Sequence, residues 1–239
     1  FEPKGKALAF ATGRMVRVIA VDGTVRGELS DHDVNLTQLA WRTSTDLVAT
    51  GNGALFVDQL APESSVTRHV LDGAPLVLAV SPDGRVAASG LQDGMVAFRN
   101  LIAQKRSRMS GYDGKVGLVG WSANSRYLAT ASTGGRQVIV WDFSGKGPEG
   151  TEPMELHSHT DRVESLAYAP EGAWLASGGR DGRVVLWKPG PAARGAVSDT
   201  ALDVQQFDAP VCLLRWSRDA KCLAVGQADG RLRFLALKA

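Results

Sequence analysis

One short pattern recurs six times along the 239 residues at nearly constant spacing. Each copy is an apolar run ending in an aromatic residue or Val, a tight polar turn, and a second run of small and apolar residues. Phe1-Glu-Pro-Lys-Gly-Lys matches Val80-Ser-Pro-Asp-Gly-Arg, Trp121-Ser-Ala-Asn-Ser-Arg, Tyr168-Ala-Pro-Glu-Gly-Ala and Trp216-Ser-Arg-Asp-Ala-Lys, with Trp41-Arg-Thr-Ser-Thr-Asp as the loosest copy. The anchors fall at 1, 41, 80, 121, 168 and 216, so the intervals run from 39 to 48 residues. A period of this length, made of short strands and turns, demands a repeat architecture in which each unit buries its face on its neighbour.

Each unit parses into four strands, here called a to d. In the fifth copy, Glu164 to Tyr168 is strand a, Trp174 to Gly178 strand b, Arg183 to Trp187 strand c, and about Asp199 to Phe207 strand d. β-Branched content and alternation support strands such as Val138 to Trp141 and Val184 to Trp187, Gly and Pro cluster in the turns, and helical periodicity is absent. A four-stranded sheet cannot bury both faces alone, so the copies are expected to stack around an axis as one all-β domain over 1–239. Phe1 falls at the end of a strand a and the last copy stops after a strand c, so the first and last sheets are expected to be incomplete. A six-membered ring would lack one strand d and one strand a, and a seven-membered ring about six strands. Residues before Phe1 or a partner would supply them, since an unpaired edge invites aggregation.

The fifth copy carries a family resemblance. Leu156-His-Ser-His-Thr-Asp-Arg-Val, Leu175-Ala-Ser-Gly-Gly-Arg-Asp-Gly and Val185-Leu-Trp-Lys188 resemble a WD40 repeat, with Gly-His altered to Ser158-His159 and Trp-Asp to Trp187-Lys188. The resemblance implies a WD40-type β-propeller of at least six repeats. It also implies a structural hydrogen-bond set of His159, Ser177, Asp181 and Trp187, in which a buried indole N–H reaches a hydroxyl and a carboxylate fixes the imidazole. Other copies depart from the pattern. The fourth keeps Thr130, Trp141 and Asp142 but has Tyr112 for His, and is expected to be less tightly pinned. The third keeps Ser89 and Asp93 with Phe98 in place of Trp, the sixth Asp229 with Phe234, and the second His32 and Thr50 with a shortened turn.

Chemistry is weighed against these structural roles. With 27 basic and 25 acidic residues intermixed, there is no global field for nucleic acid or a membrane surface. Cys212 and Cys222 read as reduced core thiols, several residues out of register on adjacent strands. No run reaches the ~18 apolar residues of a spanning helix and no signal-peptide profile follows Phe1, so a cytoplasmic location is expected. His157, His159 and Asp161 resemble a metal string, and Ser177, His159 and Asp181 a nucleophile triad, but His159 already has a structural role and burial under a turn denies the serine an oxyanion hole. No cofactor or metal is expected. The glycine-rich segments 132–136 and 178–182 open no helix and read as turns. The basic run Lys105 to Arg108 reads as a charged outer rim, and 144–150 and 188–198 as mobile loop insertions lying together on one face.

Function is therefore expected at the surface. The leading expectation is a non-enzymatic scaffold that binds one or more proteins or peptides through the upper face, formed by the d-to-a and b-to-c turns. The candidate partner-binding residues are His32, Thr37, Leu76, Lys115, Arg162, Glu164 and Arg180, with Gly117 and Cys212 at the equivalent position four before the anchor. Arg beside apolar side chains suits recognition. Two alternatives stay open: an architectural subunit whose open ring is completed in trans, and a small-ligand or metal-binding propeller enzyme, for which Glu164 is the one acid near a strand start. The chain is expected to be monomeric alone or a subunit of a larger complex.

Overall fold

A computed structural model describes residues 1–60, 63–145, 147–172, 174–190, 197–198 and 201–236. Within them the secondary structure is all β: 23 strands in six sheets and no helix. The chain divides into two compact units, Phe1–Ser110 and Gly111–Ala239.

The first unit holds three antiparallel sheets. Sheet one is β1 (Ala7–Thr12), β2 (Met15–Ala20) and β3 (Val25–Leu29). Sheet two is β4 (Leu36–Trp41), β5 (Asp46–Gly51), β6 (Ala54–Gln59) and β7 (Ser65–Val70). Sheet three is β8 (Pro75–Val80), β9 (Val86–Leu91), β10 (Val96–Asn100) and β11 (Arg106–Met109). Alternation decides which side chains are buried. Val16 and Val18 of β2 pack with Leu47 of β5, while Val48 and Leu55 from the other face of sheet two meet Ala87, Leu91 and Ala97 of sheet three. Sheet two thus has both faces covered, which is why Leu47, Val48 and Ala49 of β5 are apolar without alternation.

The second unit repeats the plan. Sheet four contains β12 (Val116–Trp121), β13 (Tyr127–Ser132), β14 (Gln137–Asp142) and β15 (Met154–His157). Sheet five contains β16 (Val163–Tyr168), β17 (Leu175–Gly179) and β18 (Arg183–Trp187). A two-residue strand β19 (Val197–Ser198) pairs parallel with β15 and adds a fifth strand to sheet four, whereas β20 (Asp203–Gln206) completes sheet five. Sheet six is β21 (Val211–Trp216), β22 (Cys222–Gln227) and β23 (Leu232–Ala236). The end of the 188–198 insertion is therefore strand rather than loop, while 191–196 and 199–200 lie outside the described residues. Strand d of the fifth copy is shorter than expected, and the first and last sheets have three strands.

The a-to-b turns show why the recurring motif has its spelling. Ser81 Oγ donates to Asp83 and accepts from the Val86 amide, and Ser122 with Asn124 and Ser217 with Asp219 do the same, closing each turn from within. The fourth residue after the anchor is left-handed in every one of these turns: Gly84 at φ 70°, Ser125 at 60° and Ala220 at 55°. Glycine fits there without cost, and serine and alanine are strained.

Cross-strand register aligns the copies. Leu47, Ala87, Leu128, Leu175 and Leu223 sit opposite the anchors Trp41, Val80, Trp121, Tyr168 and Trp216, and on their other side opposite Asp58, Arg99, Trp141, Trp187 and Leu235. This corrects two expectations: the residues in the Trp column of the third and sixth copies are Arg99 and Leu235, one residue beyond Phe98 and Phe234. A one-residue slip moves a strand side chain to the opposite face, and Phe234 is accordingly 66% exposed. The cysteines are also corrected. Both are free, but Cys212 is exposed and Cys222 only half-buried, because they face away from the core cluster that Leu214, Leu223 and Val225 form.

Candidate functional site

Buried polar groups at the Trp column come first, because they show what fixes the turns above them. In sheet five, the Trp187 Nε1–H donates to Ser177 Oγ at 2.9 Å, Ser177 donates to His159 Nε2 at 2.8 Å, and His159 Nδ1–H faces Asp181 at 3.1 Å. Asp181 also accepts the Thr160 and Arg183 amides. Burial works against the Asp181 charge, but the amides of Arg183 and Thr160 and the His159 ring hold its carboxyl below the usual range. Burial lowers the His159 pKa against the pull of Asp181, so the ring is neutral at pH 7 and supplies one donor and one acceptor as the chain of bonds needs.

Sheet four reaches the same end by another route. The Trp141 Nε1–H donates to Tyr112 Oη at 2.8 Å, Tyr112 contacts Thr130 Oγ1 at 2.6 Å, and Thr130 donates to the Ile139 carbonyl. Burial pushes the Tyr112 pKa up to about 12, so it remains a phenol. Tyr112 is therefore a working substitute for histidine, and the indole is as fully bonded as in sheet five. In sheet two the Trp column holds Asp58, which lies against His32 Nε2 at 3.0 Å with neither side chain exposed. His32 Nδ1–H donates to the Arg14 carbonyl at 2.9 Å, which leaves Nε2 as the nitrogen facing the carboxyl. Burial raises the Asp58 pKa against the His32 charge. Sequence reasoning missed Asp58; its signal is an acid directly after the apolar run Ala54 to Val57.

The surface above these networks is built of bulges. Register shifts by one residue at Thr37, Leu76, Gly117, Glu164 and Cys212, the same position in five sheets. A bulge leaves its extra residue outside the ladder and re-aims the side chain. Beside it, the b-to-c turn is laced to the residue before strand a: the Gln92 amide bonds Ala74 O, Thr133 bonds Lys115 O, Arg180 bonds Arg162 O and Ala228 bonds Pro210 O, at 2.7 to 3.0 Å. Sheets three to six thus each offer a pinned patch of turn and bulge residues.

The candidate residues divide on this basis. Thr37, Lys115 and Arg180 are exposed, and Leu76, Arg162 and Glu164 are half-buried. Arg162 Nε donates to Glu164, with side-chain exposures of 42% and 30%, and Arg180 lies on the adjoining turn. His32 is corrected: it is buried with both ring nitrogens bonded and offers no surface to a partner. In the string noted above, His157 turns to Glu155 rather than to His159, and Ser177 is inaccessible to a substrate. Among the described residues no cluster of three His, Cys, Asp or Glu could hold a metal ion, and no helix is long and apolar enough to cross a membrane. Ser144, Gly147 and Glu149 of the first insertion and Gly190 of the second line one opening beside Tyr127 and Asp142.

Comparison with known proteins gives a consistent picture. The family described as WD domain, G-beta repeat, matches residues 150–188. Centriole proteome protein 16 of Chlamydomonas reinhardtii is 30% identical over 204 residues, 82% of this chain and 9% of that protein. Cell division cycle 20.1, cofactor of APC complex, from Arabidopsis thaliana is 29% identical over 154 residues, 63% of this chain and 32% of that protein. The chain therefore spans less than a third of these relatives. A chain in the crystal structure of the mitotic checkpoint complex superposes with a TM-score of 0.75 at 19% identity, covering all of this chain and 73% of that one, which shows a shared fold.

Proposed function

This chain belongs to the WD40-repeat β-propeller family, and from that premise we propose that it is a non-enzymatic scaffold holding partner proteins or peptides on the face built from its bulged strand starts. The observation that carries the reading is the recurrence of one bulge at the same position in five sheets, in four of them beside a strand start bonded to the neighbouring turn. A ladder irregularity costs pairing, and its repetition beside pinned turns suits a surface whose job is to present side chains rigidly. In the second unit, Lys115, Arg162, Glu164 and Arg180 would make the contacts; in the first, Thr37 and Leu76. The Arg162–Glu164 pair is half-exposed and contributes little to folding, so Arg162 can exchange Glu164 for a partner carboxylate at small cost.

The test is affinity capture from the native host with the full chain as bait and an Arg162→Glu, Arg180→Glu variant as control, followed by mass spectrometry. A stoichiometric partner lost in the variant, with the thermal midpoint unchanged, is the expected result. A partner retained at equal yield would remove these arginines from the contact surface.

A second reading, the architectural subunit, has one observation in its favour. The face of sheet six turned away from its core carries Leu213, Leu232 and Phe234 at 45%, 56% and 66% exposure, an apolar strip on a three-stranded sheet. Such a strip suits burial against further β-structure.

A further inference from the structure

The wall between sheets two and three differs from the wall between sheets four and five at matching register positions. In the latter, Trp187 shares one apolar cluster with Val140, Met154 and Leu156 and seals the space between the sheets. The pairing Ala87 with Arg99 matches Leu175 with Trp187, so Arg99 stands where the indole does. On strand c of sheets two and four, three residues before Asp58 and Trp141, Leu55 pairs with His69 as Val138 pairs with Leu156, so His69 stands where the leucine does. Ala87 and Ala97 replace Leu175 and Val185 on the same face. Removing an indole and two larger aliphatic side chains leaves an opening of about 230 Å³ floored by Leu55, Ala87 and Ala97 and rimmed by Arg99, Arg106 and Arg108.

The charges in this opening do not balance. Arg106 pairs with Asp72 at 3.1 Å, and Arg108 pairs with Asp93. Arg99 donates one Nη to Gln104, yet its buried Nε has no acceptor, and among the described residues no carboxylate pairs with it. Burial, and then the Arg106 charge, holds the Arg99 pKa below its ordinary value, and burial followed by Arg99 lowers that of His69, which therefore stays neutral. A buried N–H without an acceptor is costly, and a guanidinium is the group best shaped to take an oxyanion.

We propose that this opening binds a carboxylate carried beside an aliphatic group, as a glutamate two residues from a leucine presents on one face of an extended acidic peptide. Three guanidiniums against two aspartates leave one positive charge, which a monoanion neutralises; a dianionic phosphate would overshoot and face Asp72 and Asp93. The alanine floor accepts the aliphatic neighbour. The site lies between sheets two and three of the first unit and does not rest on the bulged face, so either reading can fail alone.

The test is fluorescence anisotropy of the full chain with a labelled hexapeptide in which glutamate and leucine stand two residues apart with serine between them, alongside versions with glutamine or phosphoserine for glutamate. Saturable binding is expected for the glutamate peptide and not for the glutamine one. Arg99→Met should weaken it by about tenfold or more, the loss of one charge-assisted contact. Ala87→Leu, which restores the residue of sheets four and five without touching a charge, should block binding with the thermal midpoint unchanged or raised. No saturable binding of the glutamate peptide, equal affinity in both variants, or tighter binding of the phosphoserine peptide would overturn the assignment.

Discussion

The three bonded columns solve one problem with different residues. A polar group under a turn must be satisfied, and the set may be indole, hydroxyl, imidazole and carboxylate, or indole, phenol and threonine, or an imidazole and an acid alone. In the first, burial lowers the pKa of His159 against the pull of its carboxylate partner. The sign follows from linkage. A folded-state pKa below the ordinary histidine value of 6.5 means that the unfolded chain binds more protons, so the His159 contribution is present above pH 6.5 and is lost as pH falls through the folded value. The lowered pKa of Asp181 acts only below 3.8, outside that window, while the lowered His69 adds a second term of the same sign. The thermal midpoint should therefore drop between about pH 7.5 and 5.5, and His159→Gln should shrink the drop without removing it. An undiminished drop in the variant would mean that His159 titrates alike in the folded and unfolded chain.

At the scale of the element, turns and strands differ in how much they disclose. The a-to-b turns are legible because their chemistry is local: Ser81 with Asp83 and Ser217 with Asp219 close the turn from side chains two residues apart. The left-handed position after them tests this directly. Alanine in that conformation is strained by ~1–2 kcal/mol, and glycine gives back about 0.5–1 kcal/mol in unfolded-chain entropy, so Ala220→Gly should stabilise by roughly 0.5–1 kcal/mol in a denaturant titration; a loss of stability would deny the strain. Strand faces were less legible. The six copies and their periods followed from spacing, whereas the bulges are seen only in the structure; Phe98 and Phe234 drew the alignment by being aromatic, while register is set by turn length and hydrogen-bond pairing. The result hid Arg99 and Asp58, polar residues in a column expected to be aromatic. It also hid β19, since pairing with the neighbouring sheet is a non-local event that no local pattern of two residues announces.

For the whole molecule, the question is what a chain with these surfaces does in solution. Sheets two to five each have at least four strands, while sheets one and six have three, and sheet six exposes Leu213, Leu232 and Phe234. Charged residues commonly blunt such edges, but β23 has only Arg233 among its five residues, and its outward positions are Leu232, Phe234 and Ala236. A strip of this kind either meets further β-structure or drives copies together, because apolar area left in water is worth about 25 cal/mol per Å² once buried. The chain studied alone should thus sediment with a concentration-dependent shift toward larger species, and Leu232→Lys with Phe234→Lys should abolish that shift while leaving Leu223, Val225 and Leu235 packed in the core as before. A wild-type chain that stays monomeric at every concentration would speak against the architectural reading and leave the scaffold reading to stand on the bulged face.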